Sequence, residues 1–190
     1  MNLPNKLTVL RMILAPIYLL LMLIDFPYHY LVALVVFAIA AITDSLDGKI
    51  ARKHNLVTTF GKLVDPIADK MLTTAALLAF MQEGWCSIWI VMVVLTREYA
   101  VTSFRLLASI QGVAVPANYW GKAKTVSQMV FTLLIMVMAQ IEESFSVFAT
   151  EGWFTLANVS NVLLWITAIL TVVSGITYLV EGKKFIDISK

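Results

Sequence analysis

Four aspartates in one stretch are the residues of this chain best suited to do chemistry. Asp44 and Asp47 come with Gly48, Ala51 and Arg52; Gly61, Asp65 and Asp69 follow after a link of eight residues. At about 100° per residue, Asp44, Asp47, Gly48 and Ala51 share one face of a helix. Gly61, Asp65 and Asp69 share one face of the next. Packed side by side, two such helices would gather four carboxylates opposite positions without bulky side chains. Carboxylates clustered in an otherwise apolar protein are costly unless cations sit among them, so the pattern points to a metal site.

Oxygen ligands with no neighbouring Cys, and His only at His29 and His54, suit Mg²⁺, Mn²⁺ or Ca²⁺ rather than zinc. Four carboxylates could hold two such ions, the arrangement that clamps a transferring phosphoryl group. Gly48 and Gly61 let a ligand press against the backbone, and Arg52 could hold a phosphate or a neighbouring carboxylate. Two plainer readings compete. The acids could pair with Lys49, Arg52, Lys62 and Lys70 in a solvated headgroup zone, and the glycines could serve close helix packing. Neither accounts for the whole pattern, because acids within membrane segments usually mark function.

The elements that must position these residues follow from hydropathy. The chain has 190 residues, 60% hydrophobic and only 14% charged, with a mean hydropathy of +0.86. Soluble domains are nearer half apolar and a quarter charged. The expected fold is therefore all-α, an integral membrane bundle of six transmembrane helices. The spans fall near 7–24, 30–51, 61–82, 86–107, 121–141 and 154–180. No shift in composition divides residues 1–190, which read as one domain. The opening residues lack a small-residue cleavage site and carry Arg11 early in the apolar run, so a retained first span is expected rather than a signal peptide. A single Cys86 permits no internal disulfide, and a net charge of +2 gives no reason to expect nucleic acid.

Charge sets the expected orientation. All 14 Lys and Arg fall at the amino end, the 52–60 link, the 108–120 link, the carboxyl tail and the adjoining helix ends. The alternate links, around Asp25 to Pro27, Glu83-Gly84 and Glu142 to Glu151, hold none. By the positive-inside rule both termini and the 44–69 motif face the cytoplasm, as an even number of spans requires. The aspartates then sit at about headgroup depth, Asp44 and Asp47 ending the second span and Asp65 and Asp69 in the opening turns of the third. Pro66 fits the first turn or so of that helix, where it forfeits little hydrogen bonding.

The string Asp44, Asp47, Gly48, Ala51, Arg52, Gly61, Asp65, Asp69 resembles the signature of the CDP-alcohol phosphatidyltransferases, with every signature position filled. The six-span plan, the amino-terminal NLPNKLTVLR, and the later TREYAVTSFR and GKAKTVSQM are similar to bacterial members of that family. The resemblance implies an enzyme that joins CDP-diacylglycerol to an alcohol and releases CMP. It implies that Asp44, Asp47 and Asp65 ligate metal, and that Asp69 both touches metal and deprotonates the incoming hydroxyl. The expected cofactors are two divalent cations, Mg²⁺ or Mn²⁺. Gly48, Ala51, Arg52 and Gly61 would line the CDP pocket, reached by Asn5 and Thr8 from the first span; for Asn5 a helix cap is the alternative. The resemblance also implies a homodimer in the bacterial cytoplasmic membrane, with the carboxyl-terminal spans as candidate surfaces. Membrane lipid would enter through a cleft open to the bilayer.

The acceptor is read from cations. Arg97, Arg105, Lys122 and Lys124 lie in the cytoplasmic half, and Arg97 sits in an apolar run where it needs Glu98 or a substrate phosphate as partner. Lys122 and Lys124 are two apart on a helix, so at most one is expected to face the pocket. Four cations favour an anionic acceptor, sn-glycerol 3-phosphate, over a neutral or zwitterionic one. The rivals are the same chemistry with inositol phosphate, serine or phosphatidylglycerol, and a divalent-cation transporter. Transport prefers acids near the bilayer midplane and leaves Gly48, Ala51 and Arg52 unexplained.

Overall fold

The computed structural model describes residues 3–53, 59–110, 118–149 and 152–182, and the side chains within them other than those of residues 3–4, 44–53, 59–63, 109–110 and 181–182. These residues form six α-helices: α1 (Leu3–Leu23), α2 (His29–Lys53), α3 (Thr59–Gln82), α4 (Ile88–Ile110), α5 (Tyr119–Phe145) and α6 (Leu156–Gly182). No strand occurs among the described residues, and the ends fall within a few residues of the hydrophobic boundaries. The links between α1 and α2 and between α3 and α4 are short. Each contains a residue of positive φ, Tyr28 in the first and Gly84 in the second.

The helices close into a ring. Helix α1 packs on α2 and α3, α2 on α5, α5 on α6, α6 on α4, and α4 on α3. The adjacency expected between the second and third helices is slight among the described residues, because α1 makes the extensive contacts with each of them. Periodicity explains why α1 takes that place. Asn5, Thr8, Arg11, Ala15, Tyr18 and Met22 recur at three- and four-residue spacing and are all buried, so one stripe faces the ring interior along the helix. Its lower half is apolar and its amino-terminal half polar. The stripe of α2 runs through His29, Ala33, Phe37 and Ala40. In the sequence the same spacing carries on to Asp44, Asp47, Gly48 and Ala51, whose side chains lie outside the described residues.

Small residues let the helices approach closely: Ala68, Ala75, Ala76 and Ala79 on α3, with Leu72 and Phe80 filling the space between. Helix α6 buries Ser160, Thr167, Thr171 and Ser174. Thr171 and Ser174 turn their hydroxyls onto carbonyls of the preceding turn at 2.7 and 3.0 Å, which satisfies them without a partner helix.

The outward surface is apolar. Ile13, Ile17, Leu20, Val35, Ile39, Ile42, Met92, Ile169 and Ile176 are all exposed, far more than a water-facing surface carries. Tyr28, Trp89, Phe145 and Trp153 ring one end and Tyr119 and Trp120 the other, as membrane interfaces favour. Among the described residues three helices, over Asn5–Leu23, Tyr119–Phe145 and Leu156–Val180, are long and apolar enough to cross a bilayer, and α2 adds a shorter apolar run, His29–Thr43. Helices α3 and α4 carry Asp65, Asp69 and Lys70, and Arg97, Glu98 and Arg105, which interrupts their apolar runs.

Pro66 corrects one expectation. Because α3 starts at Thr59, this proline lies inside the helix rather than in its opening turn. Asp65 and Asp69 correspondingly sit two to three turns in.

Candidate active site

Two groups of charged side chains meet at the end of the ring where α1, α3 and α5 begin. The first lies between α1 and α3. The Thr8 hydroxyl donates to Asp65 Oδ1 at 2.6 Å, and Arg11 donates through Nη1 to Asp69 Oδ1. Arg11 is only 1% exposed, whereas the Asp69 side chain is 50% exposed. The arginine is therefore sealed inside the bundle while the carboxylate it holds stays half exposed. These bonds exist because Thr8 and Arg11 continue the inward stripe of α1 while Asp65 and Asp69, four apart, stand on one face of α3.

A carboxylate offers two hard oxygens, the donor type that fits Mg²⁺ or Mn²⁺. Among the described residues no third His, Cys, Asp or Glu joins this pair. The other members of the expected cluster, Asp44 and Asp47, and the pocket residues Gly48, Ala51, Arg52 and Gly61, have side chains outside the described residues. Asn5 is buried one turn before Thr8 on the same stripe.

The second group is cationic. Arg97 Nη1 donates to Glu98 Oε1 at 3.1 Å, and Lys124 Nζ donates to the same oxygen at 2.5 Å. One carboxylate thus holds an arginine from α4 and a lysine from α5. Of the partners weighed for Arg97, the structure shows Glu98. Among the described residues Arg97 Nε is buried with no hydrogen-bond partner. Lys124 is buried while Lys122 is exposed, so Lys124 is the one lysine of the pair that faces inward. Arg105 donates from Nε to the Tyr178 hydroxyl at 2.7 Å, its guanidinium 5.0 Å from the centre of that ring.

Lys70 joins the two groups. Its ammonium donates to the Pro66 carbonyl at 3.1 Å and lies within electrostatic reach of Asp69, Glu98, Arg97 and Arg105. Lys70, Glu98 and Arg11 escaped the sequence reading as site residues. For Lys70 a signal existed, since it follows Asp69 directly. For Arg11 the signal was its depth in an apolar helix, which demands an anion.

A ring of helices with an apolar exterior and charged side chains gathered at one end has the build of a membrane protein. The chain belongs to the CDP-alcohol phosphatidyltransferase family, whose profile matches residues 1–173. It is 39% identical over 189 residues to the CDP-diacylglycerol–glycerol-3-phosphate 3-phosphatidyltransferase of Bacillus subtilis, covering 93% of each chain. To the protein of that name from Rickettsia bellii it is 35% identical, covering 97% of each. A probable phosphatidylglycerophosphate synthase of Mycobacterium tuberculosis is 36% identical over 95% of this chain and 81% of its own length.

Proposed function

We propose that this protein transfers the phosphatidyl group of CDP-diacylglycerol to sn-glycerol 3-phosphate, giving phosphatidylglycerophosphate and CMP for phospholipid synthesis. The observation that carries the reading is the excess of positive charge beside the aspartates. Lys124, Arg97 and Lys70 surround a single carboxylate on their side, Glu98, and Arg105 follows two turns beyond Arg97 on α4. That excess suits a phosphate-bearing acceptor and is wasted on serine. Relatives named for the same transfer cover nearly the whole chain.

The residues divide the work. Asp44, Asp47, Asp65 and Asp69 would hold the two divalent cations, which when bound supply positive charge to the diphosphate and the departing CMP. Gly48, Ala51, Arg52 and Gly61 would line the nucleotide side, with Asn5 at the amino-terminal end of α1's buried stripe. Arg97, Arg105 and Lys124 bind the acceptor's phosphate, and exposed Lys122 contributes only long-range charge. Held there, the acceptor presents its free primary hydroxyl to Asp69. Asp69 takes the proton as the hydroxyl oxygen bonds the β-phosphorus; the bond from that phosphorus to the CMP oxygen breaks, and CMP leaves with the electron pair. Arg11 fixes the direction of the Asp69 carboxylate throughout.

The same proposal includes six transmembrane spans, both termini and the site on the cytoplasmic side of the bacterial membrane, and a homodimer. It is supported by the charge asymmetry of the links, the apolar exterior and the family. Acyl chains remain in the bilayer while the diphosphate reaches headgroup depth.

The test is CMP release by purified protein in mixed micelles containing CDP-diacylglycerol and Mg²⁺ or Mn²⁺, with one acceptor at a time. Release is expected with sn-glycerol 3-phosphate and not with serine or inositol phosphate. It should disappear with EDTA and fall at least ~10³-fold in Asp69→Asn, as loss of a general base and a metal ligand implies. Release with another alcohol alone would keep the chemistry and overturn the acceptor assignment.

A further inference from the structure

Among the described residues helix α6 contributes no charged side chain to the site, yet one turn of it meets Arg97, Arg105 and the residue that caps α5. A Cβ built on Gly175 would lie 3.2 Å from Arg97 Cγ, and one on Gly121 would lie 3.4 Å from Arg97 Nη2 and 3.0 Å from Asn118 Oδ1. A side chain at Gly175 would thus press on the stem of Arg97, whereas one at Gly121 would meet Nη2 at ordinary contact and crowd Asn118 instead, so Arg97 passes α6 most closely where α6 has a glycine. Three residues on, Tyr178 is 2% exposed and holds Arg105, which is itself exposed, by a hydrogen bond and by its ring face. Between them Thr177 Oγ1 accepts from Asn118 Nδ2 at 2.9 Å. Asn118 caps α5, its Oδ1 accepting from the Gly121 N–H at 2.8 Å, so this bond sets where the turn carrying Lys124 begins.

We propose that the turn Gly175–Tyr178 of α6 is the positioning element for the acceptor's phosphate. Gly175 sets the course of Arg97, Tyr178 the reach of Arg105, and Thr177 the start of α5. This rests on the reading of Arg97 and Arg105 as the phosphate-binding arginines, and it adds that their aim is determined by a helix lacking any signature residue. An unsupported arginine can adopt many rotamers, whereas one held at two points loses less freedom on binding. Tyr178 and Gly175 are positioning residues, and their loss should weaken acceptor binding without disturbing the chemical step.

The experiment measures kcat and KM for both substrates in Tyr178→Phe, Gly175→Ala, Arg105→Gln and the Tyr178→Phe/Arg105→Gln double variant, after confirming that each purifies with an unchanged melting profile. Tyr178→Phe keeps the ring and removes only the hydroxyl. Its KM for glycerol 3-phosphate should rise ~5–10-fold, as loss of a hydrogen bond to a charged group predicts once discounted for the exposure of Arg105, with kcat and the KM for CDP-diacylglycerol within about twofold. Gly175→Ala should shift the same constant in the same direction. In the Arg105→Gln background, Tyr178→Phe should add nothing, because its effect passes through the arginine. A large effect of Arg105→Gln with none from either α6 variant would overturn this proposal and leave the acceptor site standing. Equal damage by Tyr178→Phe with and without Arg105 would also overturn it, since the tyrosine would then act elsewhere. An Arg105→Gln enzyme with an unchanged KM for glycerol 3-phosphate would remove the reading beneath both.

Discussion

Replacing Thr8 by valine tests whether α1 organises the metal side of the site. The two side chains have nearly the same shape and the same branched Cβ, so the change removes little but the hydroxyl that donates to Asp65 at 2.6 Å. A hydrogen bond to a charged group is worth about 1.5–3 kcal/mol when buried. Thr8 is buried, but Asp65 is exposed on its face of α3, and water replaces part of the loss, leaving about 1–1.5 kcal/mol. At about 1.4 kcal/mol per decade that is close to a tenfold change, the lower end of what loss of a ligand's supporting hydrogen bond costs in metal affinity. The assay is CMP release against Mn²⁺ concentration at saturating lipid and glycerol 3-phosphate. Thr8→Val should need about ten times more metal for half-maximal rate, with the rate at saturating metal within about threefold and Thr8→Ser restoring the original curve. An unchanged metal curve with a raised KM for CDP-diacylglycerol would refute the reasoning. Thr8 would then serve the nucleotide, as the family resemblance alone implies.

Lys124→Met should raise the KM for glycerol 3-phosphate ~10-fold or more and also lower stability, because it strips a buried partner from Glu98; Lys122→Met should change either by less than about twofold. Kinetics of the two variants side by side check this, and equal effects would show that burial does not separate the lysines. Cys86 is buried, its thiol 3.6 Å from the Ser87 carbonyl, so a maleimide should label it in denaturing detergent and scarcely at all in mild detergent. Mass spectrometry reads the difference, and rapid labelling of the folded protein would contradict the packing of the α3–α4 link.

The helices were legible because apolar runs ended by Asp25-Phe26-Pro27, by Glu83-Gly84 and by the polar links leave little freedom in where a helix can lie. Arg97 was equally legible as needing a partner, and Glu98 is next to it. What spacing could not reveal was which helices are neighbours. Thr8 and Asp65 are 57 residues apart, Arg11 and Asp69 58, and Arg105 and Tyr178 73. Those pairs are fixed by the order of helices around the ring, which periodicity does not encode. Pro66 misled because a proline is compatible with a first turn, whereas α3 begins at Thr59 and holds it inside.

The buried pairing of Arg11 with Asp69 has a consequence for how the protein is made. Arg11 leaves the ribosome 58 residues ahead of Asp69, with all of α2 between them. This ion pair can therefore close only after α3 has been made. The contact of α1 with α3 forms later than that of α1 with α2, and the charges that meet across it are joined in the same step.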